Sequence, residues 1–500
     1  MSIVRKVLKG SALLTAGQFA VQGSALFRNA IVARFITLAD MGIGRSFGLT
    51  ITLLEMATQV SPQVMMIQAR DGDRKRLQGV AHLVQVLRGL LMGLLLLIVA
   101  EPVARLFDVP QALWAFRALA LIPVIESFHH LDIRRLQRDL NYGPAVGVTA
   151  LSQLATLALA WPLAVWLGDY SVIFWLLLIK TVLFVVGSHI VAKRPYRIVW
   201  DRHYIDRILR FGWPLLVNGL LLCVLRQGDH MIIGATYGMA VLGVYANAYL
   251  LVVIPSRALG QIGGSLVLPL LSSVQDDSEQ YRRRYETTIQ LVSLLAIGLG
   301  VCFVVMGGRL VELVFGSPYA SAGEFVGWLG AMAALRMIRV VPNQAAVALA
   351  DTRNPMISNF WSGIGLVGIV IAAYQGAHIA WIAFFCFVGE ICAVSAALQR
   401  LNQRHGLPLA ASLRPIMVLF LALAAGGLAV RSGITEGGWL PELAVVAVVV
   451  LVSLLFGLVA FGLFTEVPRL IQRYRLAGAD PVPTDGAEAV TRRSKEGEVR

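Results

Sequence analysis

Charge is what this chain of 500 residues has least of: Asp, Glu, Lys and Arg make up only 14% of it, against 57% apolar residues and a mean hydropathy of +0.72. A water-soluble domain carries roughly 25% charged residues. So few charges cannot cover a water-facing surface, which excludes a secreted or cytosolic enzyme and a disordered hub. Cysteine is equally sparse. Cys223, Cys302, Cys386 and Cys392 all lie in apolar runs and form no C-x-x-C or Cys/His array, so neither a disulfide scaffold nor a metal site is expected. No loop is long enough for an ATPase domain or an outer catalytic domain, and the apolar run after Arg5, Lys6 and Lys9 is too long for a cleaved signal peptide.

What the chain has instead is long apolar runs, each close to the ~20 residues that cross a bilayer as helix. Fourteen spans are expected, at about 11–36, 43–68, 79–100, 111–130, 144–167, 170–192, 212–236, 241–270, 286–307, 321–349, 356–376, 378–398, 414–431 and 441–464. An even number puts both termini on one side. With that side cytoplasmic, 30 of the 43 Lys and Arg residues fall there, and Arg45, Arg105, Arg309 and Arg431 fall opposite. Positive loops are retained in the cytoplasm, so the net charge of +14 is a topology signal and no nucleic-acid partner is expected. The basic stretch 193–210 is expected to form an interfacial amphipathic helix, and 477–500, polar and rich in Pro and Gly, a disordered cytoplasmic tail.

The chain also resembles itself at a separation of about 200 residues. Residues 33–44, Ala33 to Gly44, align with 234–245, Gly234 to Tyr245, and Val103 to Pro110 aligns with Val311 to Pro318. The expected architecture is all-α and polytopic: an N-terminal lobe of six spans (1–200), a like-oriented C-terminal lobe of six (201–408) and two extra helices (409–466).

Ionisable groups inside lipid cost several kcal/mol and mark functional cavities. The embedded cations Arg28, Arg88, Arg117, Arg226, Arg336 and Arg339 are expected to line a cationic cavity. Gln18, Gln22, Asn29, Gln59, Asn218 and Asn247 are expected to add polar lining. Several recur at helical spacing, as do Thr52, Glu55, Gln59 and Gln63, so each helix turns one polar stripe inward. Arg34, Arg257 and Lys180, nearer span ends, are expected to snorkel to headgroups. Glu55, Asp229 and Glu390 are ion-coupling candidates, although Asp229 could instead pair with Arg226 three residues away. Guanidiniums pair with phosphate oxygens in bidentate geometry, so a positive interior suits a phosphate-bearing substrate. Trp114, Trp161, Tyr245, Tyr249 and Trp361 could stack on sugars. His129, His130 and Asp132 lie beside Arg134 and Arg135 and read as interfacial.

The segment Arg226 to Gly234, followed by Leu242-Gly243-Val244-Tyr245-Ala246-Asn247-Ala248-Tyr249, resembles the seventh-to-eighth helix signature of the oligosaccharide flippase (Wzx-type) family. That family belongs to the multidrug/oligosaccharidyl-lipid/polysaccharide exporter superfamily. Leu268 to Ser272, Val314 to Tyr319 and Ala348 to Arg353 extend the likeness over about residues 5–465, with Ala350-Asp351 standing where a Gly is usual. The resemblance implies a two-lobed fold of twelve or fourteen helices working by alternating access. It implies translocation of undecaprenyl-pyrophosphate-linked oligosaccharide across the bacterial inner membrane for O-antigen, exopolysaccharide or capsule, driven by a proton or sodium gradient without other cofactor. Membrane lipids, and a polysaccharide polymerase and chain-length regulator, are the implied partners. A lipid II flippase is a close alternative. A multidrug antiporter would want an acidic, aromatic cavity, and a membrane enzyme such as a polymerase would want a long basic outer loop.

Overall fold

The structure, a computed structural model, describes residues 3–69, 71–139, 141–435 and 437–462. The side chains of 3–12, 15, 214, 215, 217, 218, 221 and 258–266 are left aside. The expected tail, Arg70 and the Asn218 side chain therefore lie outside what is described.

Every element is helical, with no strand among the described residues. In chain order they are α1 (Ile3–Ala33), α2 (Leu38–Ala57), α3 (Pro62–Gln68), α4 (Lys75–Leu106), α5 (Leu113–Ala118), α6 (Leu121–Glu126), α7 (Asp132–Arg138), α8 (Gly143–Leu167) and α9 (Ser171–Val191). There follow α10 (Arg202–Thr236), α11 (Met239–Ser272), α12 (Ser278–Phe315), α13 (Val326–Ala348), α14 (Arg353–Tyr374), α15 (Ile379–His405), α16 (Leu409–Arg431) and α17 (Trp439–Phe461). Among the described residues nine helices are long and apolar enough to cross a membrane, or ten if α13 and the 3-10 turn before it, bent by 64°, count as one span. Of the fourteen expected spans, 11–36 lies largely in α1 and 212–236 in α10. The run 43–68 is broken into α2 and α3 where Ser61 takes a left-handed conformation (φ 47°) ahead of Pro62, and 111–130 is broken into α5 and α6.

The basic stretch 193–210 departs from expectation. Residues 192–200 form no helix; they run as a strap along the start of α4, and α10 begins only at Arg202. Pro195 has no N–H to give a helix, and the Val199 N–H is instead taken by the Gly79 carbonyl (3.2 Å).

The helices before the strap meet those after it at both ends. A Cβ on Gly42 would lie 1.8 Å from the Met239 carbonyl oxygen, and one on Gly243 would lie 2.3 Å from that of Leu38. These pairs exchange at the spacing of the internal repeat, so α2 and α11 cross through a local two-fold contact between equivalent glycines. Around it lies the largest apolar cluster, running from Val32 and Phe47 through Phe116 to Tyr245, Phe315 and Ile382. The opposite end, the one carrying the basic loops, is closed by much less. Met65, Met66, Leu77 and Leu131 pack on Tyr204 and Ile208 of α10, and Asp71 accepts from Arg207 at 2.8 Å.

Two outcomes follow. Gly42→Leu drives backbones apart at the α2–α11 crossing and is expected to destabilise by about 3 kcal/mol or more, read as a lower Tm in detergent. The Arg207 hydrogen bond holds the Asp71 carboxyl below its ordinary value. Because the depressed carboxyl favours the contact only while ionised, closure at the basic end is full above the usual carboxylate range of about 4. It is lost as pH falls through the depressed value, and a spin-label distance between α3 and α10 is expected to lengthen there.

Candidate functional site

The deepest set of polar contacts sits among the helices after the strap. Arg336 and Arg339, one turn apart on α13, share one face and reach a single carboxylate on α15. Arg336 Nε donates to Glu390 Oε2 (3.1 Å) and Arg339 Nε to Oε1 (2.5 Å). Glu390 is 1% exposed. It can reach α13 because α14 and α15 nearly touch: a Cβ on Gly389 would lie 2.7 Å from the Ser362 carbonyl oxygen. Arg339 also donates to Ser358 Oγ (3.1 Å) and Asn359 Oδ1 (2.9 Å), whereas Arg336 turns its Nη1 to the Tyr249 hydroxyl (3.2 Å). Breaking such a buried ion pair from one side leaves an uncompensated charge, so the three groups form one unit.

One turn of α10 adds the rest. Asp229 does not pair with Arg226: its Oδ1 accepts from His230 Nδ1 (2.9 Å) and its Oδ2 from the Tyr245 hydroxyl (2.9 Å). His230 is fully buried and its Nε2 has no partner among the described residues. Arg226 makes no hydrogen bond or ion pair among the described residues, and it is exposed into a partly open cleft of about 450 Å³ lined also by Tyr249, Arg336, Ser362, Cys386 and Glu390. The cleft lining therefore holds two guanidiniums, Arg226 and Arg336, and two carboxylates, Asp229 and Glu390; both carboxylates are engaged by other groups, Arg226 makes no such contact among the described residues, and Arg339 lies behind Glu390, outside the lining.

A second polar set lies before the strap. Arg88 donates to the Glu55 carbonyl (3.0 Å) and to Thr58 Oγ1 (3.4 Å), and Arg28 to Gln153 Oε1 (3.3 Å). Lys180, expected to snorkel, lies instead within electrostatic reach of Arg28, Glu126 and Glu55.

Of the other expected site residues, Gln22, Asn29 and Gln59 are half-buried, and Gln59 approaches α10 near Gly219. Gln18 and Arg117 are exposed, Arg117 with no hydrogen bond or ion pair among the described residues. Asn247 is buried beside Tyr319, away from the cleft. Of the five aromatics, Tyr249 lines the cleft and Tyr245 is buried against Asp229, while Trp114, Trp161 and Trp361 point outward. Glu390, an ion-coupling candidate by sequence, has each oxygen occupied by an arginine.

Arg45 was missed altogether. Counted as an outer-side charge, it lies two turns inside α2, with its Nε buried and without a partner among the described residues, within electrostatic reach of Asp229, Tyr249 and Arg257. The signal was present in Thr37-Leu38-Ala39-Asp40, a capping sequence: Thr37 Oγ1 accepts from the Asp40 N–H (3.1 Å) and starts the helix at Leu38. Arg257, also expected at a headgroup, shares that neighbourhood with Arg45 and Arg226.

A polytopic bundle whose interior carries clamped and free guanidiniums is a transporter architecture. The pattern of the family described as "Polysaccharide biosynthesis protein" matches residues 31–324, and the chain belongs to that family. It is 21% identical over 436 residues to the teichuronic acid biosynthesis protein TuaB of Bacillus subtilis, spanning 85% of this chain and 89% of TuaB. It is 26% identical over 113 residues to the lipopolysaccharide biosynthesis protein WzxC of Escherichia coli, 23% of each chain. Its fold is similar to that of the lipid II flippase MurJ in an inward closed conformation, with a TM-score of 0.68 at 14% identity, covering 91% of this chain and 99% of that one. The protein is thus a multi-pass membrane protein of polysaccharide biosynthesis with a flippase-type fold.

Glu390→Gln leaves the buried Arg339 and the cleft-facing Arg336 opposite a neutral amide and is expected to cost up to about 3 kcal/mol, measured as a fall in Tm. Arg117→Gln, exposed, is expected to leave Tm unchanged within about 0.5 kcal/mol.

Proposed function

We propose that this protein moves undecaprenyl-pyrophosphate-linked oligosaccharide from the cytoplasmic to the periplasmic leaflet of the inner membrane, with both termini cytoplasmic, by ion-coupled alternating access. The observation that carries this is the uncommitted Arg226 beside the clamped Arg336 in a water-accessible cleft. An unpaired guanidinium in a low-dielectric interior is costly on its own and attracts a polyanion strongly, and the planar fork matches phosphate oxygens. Glu390 offsets the mutual repulsion of Arg336 and Arg339 and, with Tyr249, orients Arg336 along the cleft wall. TuaB and WzxC bear names from polysaccharide biosynthesis, which agrees with this substrate class.

The 450 Å³ of this cleft includes its open mouth, so it does not enclose a pyrophosphate with its sugar as it stands. Such a head requires the halves to part, and the basic end, held by the smaller apolar cluster and the Asp71–Arg207 contact, is the end that opens to the cytoplasm. The polyprenyl tail stays in lipid. Asp229, joined to His230 and Tyr245, is the group through which proton binding is coupled to this opening: a proton on the dyad removes the charge within electrostatic reach of Arg45. Glu55, beside Arg88, is its counterpart before the strap. A polymerase and a chain-length regulator would take the product on the far side.

The test is transbilayer movement of a labelled polyprenyl-pyrophosphate oligosaccharide in proteoliposomes, read as label accessible to an added hydrolase. Arg226→Ala is expected to slow movement more than ten-fold at unchanged Tm and Arg117→Ala less than two-fold. Asp229→Asn is expected to abolish the response to an imposed proton gradient while leaving substrate binding intact. Equal movement by wild type and Arg226→Ala would refute the cationic-cleft reading.

A further inference from the structure

A second cleft, of about 360 Å³, lies at the basic end between the start of α4 and the strap, lined by Lys75, Gln78, Gly79, His82, Arg194 and Arg197. The strap is fixed there from three sides. His82 Nδ1 donates to the Arg197 carbonyl (3.0 Å), its Nε2 accepting from the Leu131 N–H (3.1 Å). The Val199 N–H donates to the Gly79 carbonyl, a contact only glycine permits, since a Cβ there would lie 2.6 Å from Val199 Cγ2. Arg194 donates to the Asp73 carbonyl (2.7 Å), Asp73 Oδ1 (2.9 Å) and Gln78 Oε1 (3.3 Å).

This leaves specific valences unfilled. Gln78 is 3% exposed, yet its Nε2, with two N–H donors, has no partner among the described residues. A buried unsatisfied amide disfavours the empty pocket by the desolvation of its donors. The acids nearby are already engaged, Asp73 by Arg194 and Asp201 by Arg76 at 2.6 Å. Lys75 and Arg197 carry no ion pair among the described residues. Donors without acceptors and cations without anions call for an acceptor-only anion. On its outer side the strap exposes Ile198 (52%) and Trp200 (72%), residues suited to the membrane interface.

We infer that this cleft binds the phosphate of an anionic phospholipid headgroup, the acyl chains lying along Ile198 and Trp200, and that the lipid thereby tethers the strap joining the two halves of the protein. The site is separate from the transport cleft and does not depend on what that cleft carries. Basic pockets at the cytoplasmic ends of membrane helices take such headgroups, and tetrahedral phosphate oxygens satisfy the amide and both cations together.

The test uses the full-length protein in detergent, with native mass spectrometry counting retained phosphatidylglycerol against phosphatidylcholine. Wild type is expected to prefer phosphatidylglycerol several-fold. Lys75→Gln with Arg197→Gln is expected to lower retention by about five-fold per residue, and Gln78→Leu, which keeps every charge, by about three-fold or more. The exposed pair Arg282→Gln with Arg283→Gln is expected to have no effect. Retention unchanged in Gln78→Leu, at a Tm within a degree or so of wild type, would mean general surface attraction and overturn the pocket. Saturable binding of inorganic phosphate alone, without preference for phosphatidylglycerol, would overturn the lipid as occupant.

Discussion

A carboxylate gripped by two guanidiniums inside the membrane is the contact on which the rest of the site depends. Three ionised side chains in an apolar bundle are costly apart and tolerable together. Glu390 meets both α13 arginines because α14 and α15 approach at Gly365 and Gly389, where no side chain intervenes. With Arg339 anchored to Ser358 and Asn359, Arg336 has one free direction, toward Tyr249 and the cleft. Arg226 then stands opposite with no hydrogen bond or ion pair among the described residues. The clamp does not itself need to bind substrate; it holds a positive wall in place where an isolated arginine would fold back onto the nearest acid.

The second constraint is the unequal closure of the two ends. Away from the basic loops, α2 and α11 cross so tightly that equivalent glycines meet backbone oxygens, inside an apolar cluster that draws on both halves of the chain. At the basic end a smaller apolar cluster, the Asp71–Arg207 and Arg76–Asp201 contacts and the close approach of Gly212 to the Val60 backbone do the same task. Hydrophobic closure scales with buried area, so the basic end carries the smaller apolar seal. Asp229 on α10 and Arg45 on α2 lie within electrostatic reach of each other, one from each side of the strap.

Much of this was visible in the sequence, because burial in lipid forces polar residues onto one face and leaves a periodic trace. Arg336 and Arg339 one turn apart meet one carboxylate, Asp229 meets its neighbour His230 in place of Arg226, and glycines at the spacing of the repeat meet where α2 crosses α11. The failures have physical causes. Arg45 sat at the edge of an apolar run, and only the Thr37 cap shows that the helix starts before it. Lys180 looked like a snorkelling end, but its partners Glu55 and Glu126 come from other helices, and no sequence separation reveals them. Arg117 and Asn247 lie on polar-looking positions that packing turned outward or into the core. The strap looked amphipathic by charge, yet Pro195 and the donors it must place against Gly79 hold it extended.

The central claim is that the cleft beside Arg226 receives the pyrophosphate. Its most direct test is photocrosslinking from a benzophenone amino acid at Ser362, on the cleft wall, to a radiolabelled polyprenyl-pyrophosphate oligosaccharide in native membranes. The account predicts a crosslink at Ser362 that unlabelled substrate competes away, that Arg226→Ala removes, and that is absent from the same probe at exposed Trp161. Labelling at Trp161 with none at Ser362, or labelling at Ser362 that survives loss of Arg226, would contradict it.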